Sequence, residues 1–132
     1  MEDKVSSMAR QMNQWVDKVL GPGFHRYCPS EAWVPAVNLY EYKTHYYLVV
    51  DLAGMRTEDI DLRVDEKKDV LIISGRRLSP GTPEVEPNVQ LLLMEIDHGP
   101  FCRSIELPSD ANPAKIHANY RNGFLWIRIP KA

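Results

Sequence analysis

The 132-residue sequence predicts an all-β fold, a β-sandwich of seven to eight short antiparallel strands preceded by a short N-terminal amphipathic helix. Three observations lead there. From Ala36 nearly to the end, apolar residues recur with a period of two, the spacing that puts alternate side chains on one face of a sheet. Clusters of glycine, proline and asparagine cut that pattern into short pieces. The chain then closes on Asn122-Gly123, a pair that tolerates the positive φ of a two-residue hairpin, followed by Leu125, Ile127 and Ile129 on one face and Pro130 as a stop.

Composition sets outer bounds. With 44% hydrophobic residues the chain holds one small core plus a short extension. Lysine and arginine number 16 against 18 acidic residues, a net charge of −2, so neither nucleic acid nor an anionic membrane is an expected partner. Cys28 and Cys102 lie far apart without C-x-x-C spacing, are too few to staple a domain of this size, and read as ordinary small side chains in a reducing cytosol. Met1-Glu2-Asp3 is acidic where a secretory leader would be basic, and no apolar run reaches the ~18 residues that span a bilayer. The expectation is a cytoplasmic protein.

In chain order, Val5, Met8, Met12, Trp15, Val16, Val19 and Leu20 recur at spacings of three and four and paint one stripe on a helix. Gly21-Pro22-Gly23 stops it, and the stretch to Pro35, with Tyr27 and Trp33, reads as linker. The division expected is therefore a helical arm and linker over 1–33 and a β domain over 34–132. The stripe either packs on that domain or meets other chains; methionine, unbranched and polarisable, suits promiscuous contact.

Val37 and Leu39 begin the period-two pattern, and Tyr46, Leu48, Val50 and Leu52 continue it until Ala53-Gly54. Ile60, Leu62 and Val64 then alternate with Asp61, Arg63 and Asp65, the cleanest alternation in the chain. The charged run Asp65 to Asp69 is a solvated turn, since no glycine falls where a calcium loop needs one. Leu71 and Ile73 carry the next strand to Ser74-Gly75. Pro80, Gly81, Pro83 and Pro87 make Ser79 to Pro87 a protruding loop. Asn88 to Ile96 regains strand character through Val89, Leu91, Leu92, Leu93 and Met94, and need not pair within its own chain.

After His98-Gly99-Pro100, Phe101, Ile105 and Leu107 share a face with Arg103. A cation on an apolar register must reach a carboxylate, a carbonyl or solvent at an edge or subunit seam. Ile116, Ala118 and Tyr120 form a brief strand before the final hairpin.

Five of these segments resemble, in order, the signatures of the α-crystallin domain of small heat-shock proteins. Leu52-Ala53-Gly54 with Glu58-Asp59-Ile60 resembles L-P-G-x-x-x-E-D-I, with alanine in place of proline. Leu71 to Arg77 resembles L-x-I-x-G-x-R, Gly99 to Arg103 matches G-x-F-x-R with Leu107-Pro108 beyond it, Ile116-His117-Ala118 leads into the turn, and Ala118 to Leu125 matches A-x-x-x-N-G-x-L.

The resemblance implies an immunoglobulin-like sandwich and an ATP-independent holdase that keeps partly unfolded proteins from aggregating, with no cofactor and no metal. It implies a homodimer of the bacterial and plant type, formed by strand exchange: Val89, Leu91 and Leu93 would pair with Val37 and Leu39 of a second copy, with Arg103 near the seam. Ile60, Leu62, Val64, Ile116 and Ala118 would line a groove for a partner's segment, and Met8, Met12, Trp15, Val16 and Val19 would meet clients. The family's I-x-I tail is not seen before Ala132, and Ile127-Arg128-Ile129, though spelled that way, reads as core. A dimer or small higher oligomer is therefore expected.

Catalysis is not expected: His25, His45, His98 and His117 make no helical metal pair, and no H-E-x-x-H, G-x-S-x-G or phosphate loop occurs. The alternative function is a co-chaperone-like adaptor that uses a related sandwich to bind one folded partner.

Overall fold

The computed structural model describes residues 27–82 and 87–132. The seven strands are β1 (Val37–Glu41), β2 (His45–Asp51), β3 (Ile60–Asp65), β4 (Val70–Arg77), β5 (Gly99–Glu106), β6 (His117–Arg121) and β7 (Phe124–Pro130). One sheet runs β1-β2-β7-β6 and the other β3-β4-β5, with every ladder antiparallel. Alternation decides what lies between them. Leu48, Val50, Leu125, Ile127 and Ile129 from the first sheet meet Leu71, Ile73 and Phe101 from the second in one core. Ile127 and Ile129 are fully buried within β7, so their I-x-I spelling is not available for docking on a neighbour.

Two glycines are fixed by backbone geometry. In the β6–β7 hairpin Asn122 has φ 54° and Gly123 φ 81°, the left-handed pair that such a turn needs. Gly75 needs the absence of a side chain instead, because a Cβ there would lie 2.0 Å from the Asp59 carbonyl oxygen. Asp65 closes the β3–β4 turn by accepting from the backbone N–H of Lys67 and Lys68 at 3.1 and 3.3 Å.

Two expectations need correction. Cys28 and Cys102 are not ordinary thiols; they form a disulfide with Cα atoms 5.4 Å apart across 74 residues of sequence. Sequence distance hid the pair, since the fold lays Tyr27–Ala32 over the outer face of β4 and β5. Trp33, assigned to a linker, is 5% exposed and belongs to the core. Its N–H donates to the Pro100 carbonyl at 3.1 Å and its carbonyl accepts from Cys102 N–H at 3.1 Å, so it caps part of the β5 edge.

Asn88 to Ile96, expected to have strand character without needing to pair within its own chain, joins no strand ladder in the single chain. An isolated strand leaves its backbone donors and acceptors without a ladder, and β5 already has Trp33 on its free side. The expected helix with Met8, Met12, Trp15, Val16 and Val19 lies outside the described residues.

Candidate functional site

The sandwich ends in strand edges, and those edges carry the exposed apolar surface. β1 pairs only with β2. Leu39 stands opposite the fully buried Leu48 and so points to the core side, yet it is 46% exposed because nothing flanks it on the open edge. Val37, opposite Val50, packs partly on the core. Far along the chain, Leu91, Leu92 and Leu93 are 71%, 89% and 71% exposed, and Val89 is 54% exposed. Singly exposed apolar residues are ordinary, but a consecutive run of this kind marks a binding surface. No ladder brings Val37 and Leu39 together with Val89, Leu91 and Leu93 within the chain.

A second apolar feature lies where β3 and β6, edge strands of opposite sheets, border the core. Ile60, Leu62, Val64 and Ile116 are half-buried against it, while Ala118 is exposed. Tyr120 of β6 ties this flank together: its hydroxyl donates to the Leu52 carbonyl at 2.7 Å and accepts from Met55 N–H at 3.2 Å, joining β6 to the connection that leads into β3.

Arg103 is half-buried, and its guanidinium donates to the Pro35 carbonyl at 3.4 Å. Burial pulls its pKa below the usual arginine value. Among the described residues no carboxylate forms a salt bridge with it.

Arg77 has a role that the sequence did not disclose. Its Nε and Nη2 donate to the Asp97 carbonyl, its Nη1 donates to the Ala53 carbonyl at 3.2 Å, and its guanidinium lies 4.3 Å from the centre of the Trp33 ring. Asp97 ends the long excursion between β4 and β5, so Arg77 clamps the root of the exposed apolar run. The available signal was the final arginine of L-x-I-x-G-x-R.

At the opposite end Tyr46 donates to Asp110 at 2.6 Å, and this bond, with burial and the charge of Asp110, raises its pKa. Lys131 joins the group through Glu41 at 2.8 Å. His45 is held below its ordinary pKa, by burial first and then by the charges of Arg128 and Lys131. On the outer face of β2 and β7, Tyr47, Trp126 and Phe124 make edge-on ring pairs with centroids 6.5 and 6.3 Å apart, and Arg121 lies 5.0 Å from the centre of the Trp126 ring. The Tyr47–Trp126 pair crosses from β2 to β7, and cross-strand pairs of this kind stiffen a sheet.

Known proteins resemble this chain in sequence and in fold. A small heat-shock protein, C4, from Rickettsia felis is 28% identical over 129 residues, 98% of this chain and 76% of its own length. A 17.9 kDa class II heat shock protein from Helianthus annuus is 34% identical over 112 residues, 78% of this chain and 67% of its own. The matched portion spans 53% to 79% of the length of such relatives. Among solved structures, hspA from Xanthomonas axonopodis superposes with a TM-score of 0.63 at 38% identity, covering 75% of this chain and 94% of its own. A small heat-shock protein from Xylella fastidiosa, with a distinct high order structure, gives 0.63 at 33% identity over 75% of this chain and 86% of its own. The profile of the Hsp20/alpha crystallin family matches residues 38–132, the stretch that holds all but one residue of the sandwich strands and every motif set out above, and the chain belongs to that family of small heat-shock proteins.

Proposed function

We propose that this chain is an ATP-independent holdase that captures partly unfolded proteins in the cytoplasm and keeps them from aggregating. The observation that carries the reading is the exposed run at Val89 and Leu91 to Leu93, together with the open edge of β1, in a chain of this family. Unfolding proteins present apolar side chains and unpaired strands, and surfaces with the same two features associate with them without chemical work. The expected arm over 1–33, less the stretch Tyr27 to Trp33 that packs on the sandwich, supplies further client contacts through Met8, Met12, Trp15, Val16 and Val19, and the β domain over 34–132 supplies the scaffold.

The same surfaces support a homodimer by strand exchange. Val89, Leu91 and Leu93 of one copy pair with the β1 edge at Val37 and Leu39 of the other, which removes an exposed edge from each. Arg103 sits near that seam and gains a partner there. The groove lined by Ile60, Leu62, Val64, Ile116 and Ala118 receives a segment of a neighbour or a client, allowing a small higher oligomer.

The experiment is suppression of heat-induced turbidity of two unrelated model proteins without nucleotide. Protection of both is expected. Failure with both, alongside tight binding to one folded partner, favours the adaptor reading instead. Removing Met1 to Leu20 is expected to leave the β domain folded while weakening protection, and undiminished protection would take the arm out of the client surface.

A further inference from the structure

We propose that the Cys28–Cys102 disulfide is a redox-operated catch that holds Tyr27–Ala32 over an apolar patch on the outer face of β4 and β5, and that reduction uncovers this patch for clients. The proposal rests on the holdase reading for its functional outcome and on geometry for the catch itself.

The outer face of β3-β4-β5 is otherwise polar. Arg63 and Ser104 flank Ile72 across the ladders, and Asp65 and Glu106 flank Val70. Yet Val70, Ile72 and Cys102 are 9%, 1% and 3% exposed. They owe that to Ala32, Tyr27 and Cys28, which pack on them as a small cluster separate from the main core. This is why β4 buries four residues in succession, Val70 to Ile73, where alternation predicts two.

What holds the cover down is unequal along its length. Trp33 is anchored by burial and by its two backbone bonds to β5, so it serves as the fixed end. Ahead of it, the ties between cover and sheet include the disulfide, the bond from Tyr27 Oη to Asp65 at 2.5 Å, and the packing of buried Ala32 and half-buried Tyr27 and Cys28. Ordering a short polar segment such as Pro29-Ser30-Glu31 opposes closure, and the disulfide, which joins residues 74 apart in sequence, is the covalent tie against it and outweighs any single hydrogen bond there.

The chemistry balances with a dithiol as co-reactant. One thiolate attacks the sulfur of half-buried Cys28, the more accessible of the two; the S–S bond breaks and Cys102 leaves and takes a proton. The second thiolate of the reductant then displaces Cys28, which is also protonated. Two electrons and two protons pass to the chain, and the dithiol becomes a cyclic disulfide. In a thiol-rich compartment, disulfides of this kind are commonly transient and sensory rather than structural.

The test uses the full chain, air-oxidised or treated with a small dithiol, and a client protein that contains no cysteine. Thiol alkylation followed by mass measurement is expected to count none before reduction and two after it. Reduction is expected to raise fluorescence of an apolar-surface dye about two-fold, with the β-sheet circular dichroism unchanged, and to lower the chaperone-to-client ratio needed for half protection by a similar factor. Cys28→Ser is expected to behave as the reduced chain with or without dithiol. Two alkylatable thiols in a chain exposed to a disulfide oxidant, or equal dye binding in the two states, would overturn the catch. Dye binding that rises while neither state protects a client would leave the catch standing and remove the holdase reading.

Discussion

At the scale of single residues, the molecule is governed by a few cations placed where only carbonyls can receive them. Arg77 binds carbonyls from two separate connections and covers the Trp33 ring, work that needs a planar fork rather than a point charge. Charge-assisted bonds of this type each contribute about 1.5–3 kcal/mol, and here part of that is lost to water at the surface. Arg77→Ala is therefore expected to destabilise the chain by about 2 kcal/mol in urea unfolding, and Arg77→Lys by somewhat less, because an ammonium reaches one carbonyl and not both. An unchanged midpoint for Arg77→Ala would show that the loop root is held by its backbone alone. Arg103 differs in kind: among the described residues its hydrogen bond goes to the Pro35 carbonyl at 3.4 Å and no carboxylate pairs with it. Under the proposed strand exchange, a neighbour's acceptor is expected to complete this half-buried guanidinium.

At the scale of elements, what was legible in the sequence is what alternation can encode. β2, β3 and β7 each bury one face, so Tyr46 to Leu52, Ile60 to Val64 and Leu125 to Ile129 fall where a period of two puts them. The final hairpin was legible because Asn122 and Gly123 adopt the positive φ that few other pairs accept. β4 was half legible: Leu71 and Ile73 follow the pattern, but Val70 and Ile72 are buried by a segment some forty residues upstream, which no local period records. The disulfide and the Arg77 clamp escaped for the same reason, since both join residues that only the completed topology brings close. The run from Asn88 to Ile96 has strand composition without a strand, and the contrast makes a prediction. Leu91 and Leu93 are 71% exposed in the lone chain, so Leu91→Asp with Leu93→Asp removes almost no intrachain packing. The double variant is expected to keep the β-sheet circular dichroism and lie within about 0.5 kcal/mol of the parent when measured as a monomer, yet to lose the dimer in equilibrium sedimentation. A variant that remains dimeric would remove the strand exchange at these residues.

At the scale of the whole molecule, a sandwich with a shared core between its sheets has settled its interior and left its perimeter open. The two sheets bring four edge strands: β1, β6, β3 and β5, of which β5 is partly capped by Trp33. Edges of this kind are managed by short length, charge or cover, and among the described residues β1 has no strand on its outer side, with its own Leu39 and Tyr40 46% and 49% exposed. Under the proposed exchange, the chain would reduce its exposed edge by giving a strand and receiving one, a reciprocal contact that closes at two copies. Light scattering is therefore expected to show a mass near twice the 15.2 kDa chain at micromolar concentration, or a small multiple of that dimer. Exchange of subunits is expected to be slow, since a swapped strand leaves only by opening its whole ladder. On heating, any higher oligomer is expected to fall toward the dimer before the β-sheet signal is lost. A single chain of 15.2 kDa at every concentration, or a uniform shell of about two dozen chains, would contradict this order of strengths, which places the ladder above the groove and the groove above the client.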